Sequence, residues 1–461
     1  MTRWRPVRRT LVLAVGTALT CLGLLLFLTD SLRQLELDTV DARFEIRAGQ
    51  PPPTGVVDVN IDDATFDDVG VRWPFPRSMH ARVIDRLRRA GARVIAYDVQ
   101  FTESSGVSDA AVREDNALIE AVGRARGKVV LATSEVNERG ATSVFGGDAN
   151  VRAVGARVGN ALLLTDSDGV VRRFPAELEG LTGFAVAAVE VAQRRRTPPE
   201  GFRHGSAWID FHGPPGSVRS ASFSDVLRGR ADPELFRDKI VVVGPYAPTL
   251  QDIHPTSSSG EAQMSGPEIH ANSISTLLRG RDLAEAPSWL AAVLVVLLGM
   301  VPTVASLVFP RVGLLIAAVV GLAYLVGAQL AFESGTILPV VCPLVALTAS
   351  GIGILVVGYS AATYERVHMR EVLARFLPES LVDDIVRSRD EDLRLMWQRV
   401  QATTVVCDLR RFTTFAEKRQ AEEVNEALNE FLGELTEAVH AHRGTLIQYR
   451  GDGSWPYSGR R

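Results

Sequence analysis

The chain has 461 residues, 46% of them hydrophobic and 23% charged, with a formal net charge of −4. That length allows two or three domains, and the apolar content excludes a wholly disordered chain. The near-neutral balance gives no whole-chain case for a nucleic-acid binder. Cys21, Cys342 and Cys407 are too few and too far apart for a disulfide framework or a zinc site.

Thr10 to Leu28 is an apolar block of 19 residues. It is long enough to cross a hydrocarbon core of roughly 30 Å. Arg3, Arg5, Arg8 and Arg9 precede it and no small-residue cleavage pattern follows, so residues 10–28 read as an uncleaved anchor. Residues 31–287 then alternate strand-like and helix-like runs. Gly55–Ile61, Ala92–Phe101, Lys128–Ala132 and Lys239–Gly244 are β-rich. Met79–Ala90 and Glu268–Leu278 have helical spacing. This alternation predicts an α/β domain with a largely buried sheet.

Asp62, Asp63 and Asp98 fall at expected carboxyl ends of strands, where α/β folds bind ligands, but capping and turn roles account for them more simply. Asp166 and Asp168 open like a calcium loop, yet no glutamate closes it, so a turn is expected. His80, His254 and His270 are isolated and are expected to be structural.

The run VVDVNIDDATFDDVGVRWPFP from Val56, continued by GARVIAYDVQF, resembles the opening of a type-2 CHASE domain. DSDGVVRRF, KIVVVGPYAPTLQDIHPT and GPEIHANSISTLL resemble later parts of the same family in order. The resemblance implies an extracellular sensor, 31–287, of the kind carried by cyclases and histidine kinases. Its ligand is unreadable from the sequence.

Three further apolar blocks, 289–309, 312–332 and 337–359, predict three more transmembrane helices. Pro302, Pro339 and Pro343 are expected to kink the second and fourth of the four. None of the blocks has a charged residue well inside it, which argues against a transport pathway. The positive-inside rule places 1–9 in the cytoplasm, 31–287 outside and the C-terminal segment inside. A multi-pass plasma-membrane protein with lipid as its surroundings is expected.

Residues 360–402 predict a cytoplasmic helical linker. Thr403–Leu409 is β-branched and contains Asp408. Ala421–His442 carries Val424, Leu428, Phe431, Leu435 and Val439 along one helical stripe. Thr445–Tyr449 is strand-like, and Gly451-Asp452-Gly453 reads as a hairpin turn.

The strings VVCDLRRFTTFAEK, EEVNEALNEFLGEL and HRGTLIQYRGDG resemble the opening of a class III nucleotide cyclase domain. The resemblance implies a partial α+β, ferredoxin-like domain over 403–453, built to convert ATP, or GTP, to the cyclic nucleotide and pyrophosphate. It implies two Mg²⁺ or Mn²⁺ ions held by Asp408 and Asp452, with help from the Leu409 carbonyl. Phe412 and Thr413 amides would meet phosphate, and Gln448 stands at a base-selecting position often occupied by lysine. Arg411 replaces the family's usual glycine. Homodimerisation is implied as well.

Ser454 to Arg461 departs from the family, which continues as Met-Ala-Val-Phe-Gly after one aliphatic residue. A one-base shift would restore that run, so 454–461 is expected to be out of frame. The expectation is a receptor of cyclase ancestry whose transition-state residues are missing and which is inactive as written. A non-catalytic transmembrane sensor or interaction protein is the alternative reading.

Overall fold

The computed structural model describes residues 4–47, 49–137, 140–198, 202–203, 205–260, 262–280, 283–374, 402–442, 444–450 and 453–459. It divides into two units, residues 16–351 and residues 1–15 with 352–461.

In chain order, α1 (Trp4–Leu28) and α2 (Arg33–Ile46) precede a large parallel sheet. There follow β1 (Val56–Ile61), α3 (Asp63–Val69), α4 (Arg77–Arg89), β2 (Val94–Tyr97), α5 (Asp109–Arg124), β3 (Val129–Thr133), α6 (Asp148–Ala153) and β4 (Arg157–Asn160). Next come β5 (Leu164–Thr165), β6 (Val171–Pro175), β7 (Glu177–Leu178), β8 (Leu181–Thr182), α7 (Phe184–Gln193), β9 (Ser206–Trp208), β10 (Ser220–Ser222), α8 (Phe223–Arg228) and β11 (Ile240–Pro245). β12 (Ile253–His254), β13 (Met264–Ser265), α9 (Gly266–Arg279) and β14 (Ala284–Glu285) complete the α/β domain.

β10, β1, β11, β2, β3 and β4 lie side by side in that order, and every neighbouring pair is parallel. Val59 pairs with Val243, and Val243 with Tyr97. The inner strands are apolar without alternation because both faces are covered. One face packs α4, α5 and α8 around Ile84, Leu87, Ile95 and Leu118. The other packs α7 and α9 around Val56, Ala96, Val130 and Ile274. Ser265 caps α9 by accepting the Glu268 amide at 3.4 Å, with Pro267 in the first turn. A Cβ on Gly244 would stand 2.5 Å from Pro267 and 3.1 Å from Asp98, so glycine is required where β11 passes the start of α9.

α10 (Ser288–Val308), α11 (Gly313–Glu333), β15 (Thr336–Ile337) and α12 (Val341–Ala374) follow. Four helical segments are long and apolar enough to cross a membrane: Val7–Leu28, Ser288–Val308, Gly313–Glu333 and Val341–Glu365. Ile337, expected inside the fourth helix, instead pairs with Glu285 in a short parallel bridge between β14 and β15. Pro339 therefore precedes α12 and Pro343 occupies its first turn, where a missing amide costs no helical hydrogen bond. Pro302 is the proline inside α10. The start of the expected linker is continuous with the fourth span, because no proline follows Pro343 within the 34 residues of α12. At 1.5 Å per residue α12 is about 50 Å long, longer than a bilayer core is thick.

In the second unit, β16 (Ala402–Thr404), α13 (Phe412–Ala416), α14 (Ala421–Ala441), β17 (Thr445–Arg450) and β18 (Gly453–Gly459) are described. The strands form an antiparallel sheet in the order β16–β18–β17. β16 is shorter than the expected strand and ends before Asp408. Residues 453–459, most of the tail expected to be out of frame, form the central strand. The expected linker falls partly outside the described residues, at 375–401.

Candidate functional site

On the sheet face covered by α9, running to the carboxyl ends of the strands, an acidic group collects. Asp58 and Asn60 lie two apart on β1 and so share a face of the sheet. Asp98 follows β2, Glu268 stands in the first turn of α9, and Asp252 and His254 come from the segment at β12. Asp58 and Glu268 are each only 2% exposed. Glu268 accepts the Gly216 amide at 2.8 Å and the Val218 amide at 3.3 Å. No hydrogen bond reaches Asp58 Oδ1 or Asn60 Oδ1. Burial, reinforced by the charges of Glu268 and Asp98, pushes the Asp58 carboxyl well above the usual range. Burial and Asp252 do the same to Asp98. His270 Nε2 lies 3.8 Å from Asp98, and His254 Nε2 lies 3.1 Å from Asp252. Burial holds His270 down at about 4. Among the described residues no group of His, Cys, Asp and Glu side chains is arranged to hold a metal ion. The chemistry open to this rim is proton uptake.

Its other acids do what the simpler reading expected. Asp62 caps α3, accepting the Thr65 amide at 2.9 Å and the Thr65 and Ser222 hydroxyls at 2.7 and 2.9 Å. Asp63 is exposed in the first turn. His80 is structural: its Nδ1 lies 2.7 Å from the Tyr97 hydroxyl amid Trp73, Phe75, Phe101 and Phe223. Burial holds it at about 3. Asp166 and Asp168 grip Arg172, whose side chain is fully buried, together with Asp41 from α2. The shortest of these contacts is 2.6 Å, from Arg172 Nη2 to Asp41 Oδ2. Burial alone would lower the Arg172 pKa; the hydrogen bonds to Asp41 and Asp168 outweigh it and raise it.

α2 joins the sensor to the membrane helices, and its role was not read from the sequence. Glu36 accepts the Val340 and Val341 amides at 2.6 and 2.9 Å, placing a carboxylate at the positive end of α12. Arg33 pairs with Glu285 at 2.8 Å. Phe44 meets Phe332 of α11 edge-on, with centroids 4.9 Å apart. The amphipathic run LELDTVDARFEI was the available signal.

In the second unit Asp408 is exposed, and Oδ1 accepts the Leu409 amide at 3.1 Å. The Asp408 carboxyl group and the neighbouring Leu409 carbonyl are oxygen donors of the type Mg²⁺ takes. Arg411 has φ +63°, the left-handed conformation that favours glycine, and it precedes Phe412 and Thr413 at the start of α13. Gln448 lies in β17, opposite Trp455. Asp452 lies outside the described residues.

The family profile for the CHASE2 domain matches residues 17–308, more than half of the chain. The chain belongs to the CHASE2 family. Within this CHASE2 protein the matched stretch contains the whole parallel sheet, α2 and the junction at Glu285. Adenylate cyclase 1 of Rhizobium meliloti (strain 1021) is 38% identical over 79 residues, which is 17% of this chain and 12% of that protein. The CHASE2 chain thus aligns with a small part of that relative's length. No solved structure matches it.

Proposed function

We propose that this CHASE2 protein is a transmembrane sensor coupled to class III cyclase chemistry, with its sensor outside the cell and the C-terminal segment after its last membrane helix in the cytoplasm. The observation that carries this reading is the order of parts: a CHASE2 match, membrane-spanning helices, then the cyclase-like strings around Asp408, with partial identity to an adenylate cyclase. The reaction class is attack of the ribose 3′-hydroxyl on the α-phosphate of ATP, with loss of the hydroxyl proton and departure of pyrophosphate. A bound pair of Mg²⁺ ions supplies acidification of that hydroxyl and neutralisation of the phosphates. Asp408 and Asp452 would hold the ions with the Leu409 carbonyl as a further ligand, and the Phe412 and Thr413 amides at the start of α13 would orient the phosphates. Gln448 would take the base-selecting position that the resemblance assigns to it. A homodimer is the working assembly.

The test uses the full chain in neutral lipid nanodiscs and a fluorescent ATP analogue. Binding is expected to require Mn²⁺ or Mg²⁺ and to weaken about tenfold or more in Asp408→Ala, as loss of a charged metal ligand predicts. Cyclic AMP is followed in the same samples. Equal, metal-independent binding by wild type and variant would reject the nucleotide site and favour a non-catalytic sensor.

A further inference from the structure

The amino ends of the sensor strands carry a pattern of the opposite sign. A cation stands at or one residue before the start of β2, β3, β4, β10 and β11: Arg93, Lys128, Arg157, Arg219 and Lys239. Three of them, Arg93, Lys128 and Arg157, line a groove of about 840 Å³ with Arg194, Arg195 and Arg196, which follow the end of α7. Arg126 lines it too.

Two acids share this groove, Glu190 and Asp238. Glu190 is already engaged by Arg157 at 3.0 Å and by the Thr197 amide at 2.9 Å. Arg93 Nε and Lys128 Nζ donate to the Ala192 and Ala92 carbonyls at 3.0 and 3.2 Å, which positions both cations without neutralising either. No side-chain hydrogen bond or ion pair engages Arg126, Arg195 or Arg196 among the described residues.

One arginine past α7 would suffice to complement the helix dipole. Three there, facing cations from three strand ends, repel one another, and a multivalent anion relieves that repulsion. The apolar lining is confined to small aliphatic residues such as Val191 and Ala192, so nothing in the groove stacks on a base or buries a chain. Guanidinium forks converging from several directions suit the oxygens of phosphate. We infer that this groove is the sensor's recognition site for a free multivalent phosphate anion. The assignment is independent of the cyclase reading.

Inorganic triphosphate is titrated calorimetrically into the full chain in a neutral detergent at constant ionic strength. Saturable binding is expected. Arg195→Gln with Arg196→Gln weakens it about tenfold or more, the loss of two charge-assisted contacts. Arg82→Gln, an exposed cation on α4, leaves it unchanged. Thermal unfolding without phosphate checks that the double variant is folded; if it is not, Arg126→Gln replaces it and is expected to weaken binding as well. Equal affinity in wild type and the groove variants would overturn the proposal. So would retention by phosphatidylglycerol vesicles with no binding of free triphosphate, which would assign the groove to lipid headgroups.

Discussion

On the sheet face covered by α9, Asp58 and Glu268 are buried beside Asp98, whereas at the amino ends of the strands Arg93, Lys128 and Arg157 stand in solvent. The same sheet thus separates charge by sign and by environment together. Burial makes the acidic rim change its protonation state, because water no longer stabilises the carboxylates. Exposure leaves the basic rim open to an anion from solvent. Arg172 is the contrasting case within the same domain: a fully buried cation that keeps its charge because three carboxylates surround it.

The largest effect is expected there. Arg172→Ala leaves Asp41, Asp166 and Asp168 without their shared cation and removes the ion pair between α2 and β6. A loss of about 3–5 kcal/mol in denaturant unfolding is expected, as for breaking other buried ion pairs. A loss under 1 kcal/mol would mean that paired and unpaired buried charges differ little here, and the comparison would fail.

Asp58→Asn should change stability in the opposite direction. Its folded pKa is raised, so its contribution to stability is full below the ordinary carboxylate range and is lost as pH rises through the folded value. The variant is expected to be more stable than wild type at pH 8 by about 1–3 kcal/mol, the cost of an unsatisfied buried group. That difference shrinks on acidification. His80 and His270, held at about 3 and about 4, contribute the reverse slope below 6.5 in both proteins and cancel in the difference. A variant less stable than wild type at pH 8 would show that Asp58 is satisfied.

The smallest effect is at Asp62, an acid of the same rim with partners on α3 and β10. Asp62→Ala should cost about 1 kcal/mol, the worth of a helix cap. Opposite signs for Asp58 and Asp62 in thermal melts would establish that hydrogen bonding, not position on the rim, decides what each acid does.

Much of the sensor was legible beforehand. Unbroken apolar runs such as KIVVVG from Lys239 marked strands buried on both faces, and the spacing of Val83, Ile84 and Leu87 marked α4. The membrane blocks were equally plain, because length and hydropathy are local properties. The ends of elements were less so: Ile337 left the fourth helix for a bridge to Glu285, and the strand before Asp408 stopped at Thr404. Such ends depend on partners that no local window contains. The groove at Arg195 and the Glu36 carboxylate on α12 escaped for the same reason, since each joins segments far apart in the chain.

The sequence by itself determined the membrane-spanning helices, the α/β alternation and the motifs that connect this protein to CHASE2 sensors. Periodicity, apolar length and short motifs reside in neighbouring residues. Only the tertiary structure decided which acid is buried with an unsatisfied oxygen, which cation is clamped, and which strand ends share a groove. Charge is written in the residue, but its solvation and its neighbours are set by packing.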